Sequence, residues 1–175
     1  MPLRARAKKI KMKTKNQKHV YFICLSAVIA ALYVALTLLS AAFGLSSGVI
    51  QLRISEALCV LSYFTPAAIP GMTVGCLVSN IFTSGNPLDI IFGTLATFIG
   101  VLGGYALRRF KWLVSIPTVL ANALIIPFVL VWGFGVEDAL PYLILTVGVG
   151  ELLSATCLGM PLLLLLERYK FKFNS

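Results

Sequence analysis

The sequence predicts an all-α membrane protein of six transmembrane helices, with both termini cytoplasmic. Three observations predict it. First, 59% of the 175 residues are hydrophobic and 12% are charged, against roughly 25% charged in an average soluble domain. Second, apolar runs recur near the length of about 20 residues that crosses a hydrocarbon core as a helix. Third, the basic residues cluster so that six crossings place nearly all of them on one side.

The first predicted span is 20–43, and "GLSSG" follows it. Its apolar run is about 24 residues, longer than the 7–15 of a cleavable signal segment, so it is read as a retained helix. The second span, 49–64, is short and stops at "FTP". The third, 66–82, runs into "TSGNP", and the fourth, 88–107, into "RRFK". The fifth is 113–132, closed by "GFGVED", and the sixth is 139–166. These separators hold the Gly, Pro, Ser, Asn and charge that interrupt apolar helices. The chain therefore divides into a basic arm, 1–19, and one membrane domain, 20–175. Spans one to three show no internal similarity to spans four to six, so the inverted repeat common in secondary transporters is not visible.

The net charge of +9 is a topological signal. Arg4, Arg6, Lys8, Lys9, Lys11, Lys13, Lys15 and Lys18 precede span one. Arg108, Arg109 and Lys111 lie between spans four and five, and Arg168, Lys170 and Lys172 follow span six. The excess of Lys and Arg on cytoplasmic loops assigns that side to the cytoplasm. The arm lacks the interleaved aromatics of a nucleic-acid binder and is expected to lie against anionic lipid. No nucleic-acid partner is expected. Of the basic residues only Arg53 falls elsewhere.

Charge within a bilayer is expensive and marks functional candidates. Arg53 and Glu56 open span two, Asn80 ends span three, Asp89 begins span four, Asn122 is mid-span five and Glu151 lies inside span six. In the six-span topology Arg53, Glu56, Asn80 and Asp89 converge on the extracytoplasmic face. Glu151 lies at most about 18 Å below that end of its helix. Arg53 and Glu56, three apart, can form a structural ion pair or face one pocket. Asn80 and Asn122 suit interhelical hydrogen bonds or a binding site. Asp89, behind "GNPL", suits a helix N-cap. Glu151, between Gly150 and Leu152 in an apolar helix, is hardest to explain structurally.

Small residues form stripes that let helices approach closely. Ala27, Ala31 and Ala35 line one face of span one, for internal packing or for docking a partner. Gly71 and Gly75 in span three, and Ala96, Gly100 and Gly104 in span four, fit internal packing. Cys24, Cys59, Cys76 and Cys157 all lie in spans without a CxxC pair and read as buried hydrophobes rather than a disulfide frame or metal site. HExxH, GxSxG and Walker motifs are missing from the sequence, so an enzyme is not expected, and ATP-driven transport needs separate ATPases. No cofactor is implied.

"QLRISEALCVLSYFTPAAIPGMTVGCLVSNIF" and "LDIIFGTLATFIGVLGGYALRR" resemble the queuosine-precursor transporter family, the substrate-binding S components of energy-coupling factor transporters. The resemblance covers about residues 27–122 and leaves out the arm. It implies six membrane helices, a substrate site near the extracytoplasmic face, and docking on a T subunit driven by two ATP-binding-cassette ATPases. Ala27, Ala31 and Ala35 match the spacing of the small-residue motif that makes that contact. The implied substrate is a 7-deazaguanine: the cyano base, the aminomethyl base or queuine. Its guanine edge suits a carboxylate, Glu151 or Glu56, with Asn80 or Asn122 beside it. Tyr63, Tyr142 or Phe92 is a candidate for stacking, and loop 44–49 for closing over the pocket. An S component for another nutrient, a stand-alone secondary transporter and a membrane scaffold are the alternatives.

Overall fold

The computed structural model describes residues 15–45 and 52–169. The arm before Lys15, most of loop 44–49, and Lys170 and Lys172 lie outside these residues. Every regular element among the described residues is helical, in six helices. Helix 1 is Lys15–Ala42, helix 2 is Ile54–Tyr63 and helix 3 is Ala68–Thr83. Helix 4 is Asp89–Ala106, helix 5 is Ile116–Phe134 behind a short turn at Lys111–Leu113, and helix 6 is Leu140–Arg168. Helix 1 begins at Lys15, so it takes up the end of what the sequence assigned to the arm.

Four of the six helices are long and apolar enough to cross a bilayer by themselves. Helix 3 has 16 residues and helix 2 has 10. The shortness of span two, visible in the sequence, is thus greater than expected. Helix 2 is wound as a 3₁₀ helix, which rises about 2.0 Å per residue against 1.5 Å for an α-helix. Ten residues therefore reach roughly 20 Å. The packing agrees: Arg53, just before helix 2, meets Asp89 at the start of helix 4, and Ser62 near its end meets Gly104 at the end of helix 4. Thr65-Pro66 then ends it, because proline disfavours helical geometry in the residue before it.

Helix 2 is the centre of the bundle. Every residue from Ser55 to Ser62 is buried, and the helix packs against helices 1, 3, 4 and 6. Helix 1 lies on helix 3 through Gly71 and Gly75. A Cβ on Gly75 would sit 2.7 Å from Tyr33 Cβ, and one on Gly71 2.9 Å from Ile29 Cβ. Helix 4 lies on helix 5 in the same way, Gly100 facing Thr118 and Gly104 facing the Val114 carbonyl at 2.6 Å from a built Cβ. Internal packing of the span-three and span-four stripes is therefore observed. Helix 5 ends at Gly135, whose φ of 65° carries the chain into the left-handed turn, and the Val136 N–H donates back to Leu130 O at 3.1 Å.

Helices 4 and 6 each contain a widened π segment, Asp89–Gly93 and Leu152–Leu158. In helix 6 the segment precedes Pro161, which supplies no N–H for the carbonyl four residues back. The outward faces are apolar: Val20, Leu124, Leu145 and Trp132 are all exposed. A soluble monomer does not tolerate such a continuous apolar surface. The chain is a multi-pass membrane protein.

Candidate binding site

The bundle has two unlike ends. Arg108, Arg109, Lys111 and Arg168 collect at the basic end, where Lys111 Nζ meets Glu167 Oε2 at 3.1 Å. The far end carries Arg53, Asp89 and the exposed Glu137 and Asp138. A cavity of about 390 Å³ opens there, within the range of small-molecule pockets. Arg53, Asp89, Thr37, Thr83 and Ser84 give it polar walls, and Ala41, Ile126, Leu130, Phe134 and Val136 the rest.

Arg53 Nη2 and Asp89 Oδ2 are 3.7 Å apart across this cavity. Arg53 is in extended conformation before helix 2 begins, so the three-residue spacing to Glu56 does not place the two on one helical face. Of the two readings of Arg53 and Glu56, the direct ion pair is not found among the described residues, and Arg53 pairs with Asp89 of helix 4 instead. Asp89 is also not the cap of helix 4. Asn86 takes that role, its Oδ1 accepting from Leu88 N–H at 2.9 Å while its Nδ2 donates to Gly133 O at 2.5 Å. Pro87 follows Asn86, where a missing N–H does no harm.

One turn deeper, Glu56 is 1% exposed. The Tyr33 hydroxyl of helix 1 donates to its Oε1. Thr37 Oγ1 donates to Ser55 Oγ at 2.8 Å, and Ile54 N–H to Ser40 Oγ at 3.1 Å. Helix 1 is thus stitched to the start of helix 2 by a polar seam, Tyr33-Thr37-Ser40. Asn80 Nδ2 donates to Asp89 O at 3.1 Å, joining helices 3 and 4, and Gly93 leaves room for it.

Asn122 of helix 5 and Glu151 of helix 6 are likewise buried and face each other. Glu151 also lies within electrostatic reach of Glu56 and Arg53, so with Asn80 on Asp89 the candidates come from helices 2, 3, 4, 5 and 6. Four of their atoms lack hydrogen-bond geometry to any partner among the described residues: Glu56 Oε2, Asn80 Oδ1, Asn122 Nδ2 and Glu151 Oε2. A buried polar atom left so costs about 1–3 kcal/mol. The four offer carboxylate and amide oxygens as acceptors and one amide donor.

The proposed stacking aromatics lie elsewhere. Tyr63 packs edge-on against Phe64 at the other end of helix 2. Tyr142 is exposed. Phe92 lines a separate apolar groove with Trp132. The ring in the cavity wall is Phe134 and the ring on Glu56 is Tyr33, and the sequence reading named neither. Tyr33 had a signal: it shares a helical face with Thr37 and Ser40, four and seven residues on. Ala27, Ala31 and Ala35 are exposed, roughly half a turn away from the Ile29-Tyr33 face that packs inside. Cys59 and Cys76 are buried, Cys24 and Cys157 exposed, and all four are free. No group of three or more metal-ligating side chains occurs among the described residues.

The queuosine precursor transporter QueT of Lactococcus lactis subsp. cremoris (strain MG1363) is 40% identical to this chain over 97 residues, which is 55% of this chain and 57% of that protein. The chain thus matches a little over half the length of that relative. No solved structure matches it. The family model described as QueT transporter matches residues 23–168, nearly the whole membrane domain, and the chain belongs to the QueT transporter family.

Proposed function

We propose that the chain is the substrate-binding membrane subunit of an energy-coupling-factor importer for a 7-deazaguanine precursor of queuosine. One observation carries the reading: two of the four unpartnered buried atoms, Glu151 Oε2 and Asn122 Nδ2, face each other and form an acceptor and a donor that a guanine edge complements. Such an edge presents N1–H and N2–H₂ as adjacent donors and a carbonyl as acceptor. Glu151 accepts from the two donors, a charge-assisted and therefore strong arrangement. Asn122, facing it, donates to the carbonyl. The cavity walled by Arg53 and Asp89 is the route from the far end, taken as extracytoplasmic because the basic residues gather at the other.

Transport against a gradient needs energy that this chain does not supply. The exposed stripe Ala27, Ala31, Ala35 is free of internal packing and supports docking on a T subunit, which works with two ATPases. Both termini are then cytoplasmic. The test is calorimetry on purified protein with the cyano and aminomethyl deazaguanines, guanine and riboflavin serving as controls. Saturable deazaguanine binding, abolished by Glu151→Gln, is the expected result. Folded protein that binds no deazaguanine overturns the reading.

A further inference from the structure

Charge at the site is unbalanced. Three carboxylates converge there, Glu56, Asp89 and Glu151, with one guanidinium, Arg53. That guanidinium is held by Asp89 at 3.7 Å. Glu56 and Glu151 therefore make no ion pair among the described residues and feel Arg53 only at longer range, and each keeps an Oε2 without hydrogen-bond geometry while almost wholly buried. Burying a carboxylate is tolerable only when it gains a partner. If Glu151 reads the guanine edge, that edge brings N–H donors to one carboxylate and leaves the other unsatisfied. Glu56 Oε1 takes the Tyr33 hydroxyl, so one oxygen is held and oriented while Oε2 remains open.

We infer that Glu56 is a specificity residue that binds a cationic substituent on the ligand, so that the site selects an alkylammonium-bearing deazaguanine over its neutral counterparts. The inference rests on the proposed function. An aminomethyl group projects from the five-membered ring, remote from N1 and N2, so one ligand can engage two carboxylates by opposite ends. Its ammonium donates to Glu56 Oε2, and Asn80 Oδ1 is a second acceptor available to it. A cyano group has no N–H to give and no charge, and it leaves Glu56 as it stands. A hydroxymethyl group matches the aminomethyl group in size and donates one hydrogen bond without charge.

The wild-type protein suffices for the first test. Affinities for the 7-aminomethyl, 7-hydroxymethyl and 7-cyano bases are compared by calorimetry at neutral pH and moderate salt. The expected order has the aminomethyl base tightest, by roughly tenfold or more over the hydroxymethyl base, as a charge-assisted bond gained in a buried site requires. The Glu56→Gln protein, checked for folding by its melting temperature, is expected to lose that preference, the affinity for the aminomethyl base falling to that for the hydroxymethyl base. Hydroxymethyl or cyano base binding as tightly as the aminomethyl base overturns the inference and leaves the proposed function standing. So does a Glu56→Gln protein that keeps the wild-type preference. Failure of all three bases to bind overturns both.

Discussion

The Tyr33 hydroxyl donates to Glu56 Oε1, tying the middle of helix 1 to the first turn of helix 2. Both side chains are 1% exposed. Tyr33 also packs its Cβ on Gly75 of helix 3. One residue therefore fixes the helix 1–helix 3 contact and orients a carboxylate at the site.

Tyr33→Phe separates these two roles. The ring stays and the packing on Gly75 is kept, but Glu56 loses its donor and becomes doubly unsatisfied. A stability loss of about 1–3 kcal/mol is expected from the stranded acceptor, read as a lower melting temperature in detergent. Substrate affinity should fall too, because Glu56 is no longer held in one rotamer. A Tyr33→Phe protein as stable as wild type would show that the bond does not support the fold.

The Arg53–Asp89 pair makes a second case. At 3.7 Å it is loose, yet Asp89 is 3% exposed, so losing either partner strands a charge in a cavity wall. Arg53→Gln and Asp89→Asn should each weaken deazaguanine binding. Made together they should be less harmful than the sum of the two, with a coupling of roughly 0.5–3 kcal/mol. A calorimetric double-mutant cycle measures it. Strict additivity would mean that the two side chains act independently.

Two small residues, one on the exposed face of helix 1 and one on helix 3 packed against its buried face, have opposite expected outcomes. Ala31→Leu lies on the exposed stripe and should leave folding and substrate binding unchanged while abolishing co-purification with the T subunit and ATPases, and with it uptake. Gly75→Ala, on the buried contact, drives a Cβ to 2.7 Å from Tyr33 Cβ and should destabilise by about 1–3 kcal/mol through overpacking. Ala31→Leu protein that still assembles and transports would remove the stripe from the docking surface.

Much of this was legible in the chain. Apolar run length located all six helices, because the bilayer imposes a length and the separators are chemically obvious. The rarity of charge picked out Arg53, Glu56, Asp89 and Glu151 for the same reason. Local spacing failed at Arg53, since the rule for residues three apart presumes both are helical and Arg53 is not. It failed at Asp89 because Asn86, three residues earlier, was the better cap. The 3₁₀ winding of helix 2 had no local signature, since it answers to the distance that ten residues must cover inside the bundle. Tyr33 was overlooked because a tyrosine in an apolar run looks like core until its partner on another helix is known.

Helix 2 also bears on topology. Its ten residues and the sixteen of helix 3 are each below the length of an independent span, whereas the other four helices are not. Helices 2 and 3 are joined by Phe64–Ala67 and return the chain to the end it started from: Arg53 and Thr83 both line the far-end cavity. The pair therefore makes either two crossings or none, and the total stays even. Both termini should share a side with Arg108, Arg109 and Lys111, and the positive-inside rule makes that side cytoplasmic. Single cysteines at Ser175, Arg109 and Asp138, placed in a protein with its four native cysteines changed to Ser or Ala, give the check. A membrane-impermeant thiol reagent applied to intact cells should label the Asp138 cysteine and spare the other two until the membrane is opened. Labelling of the Ser175 cysteine from outside would overturn the even count, and with it the placement of the Arg53–Asp89 cavity on the outer face.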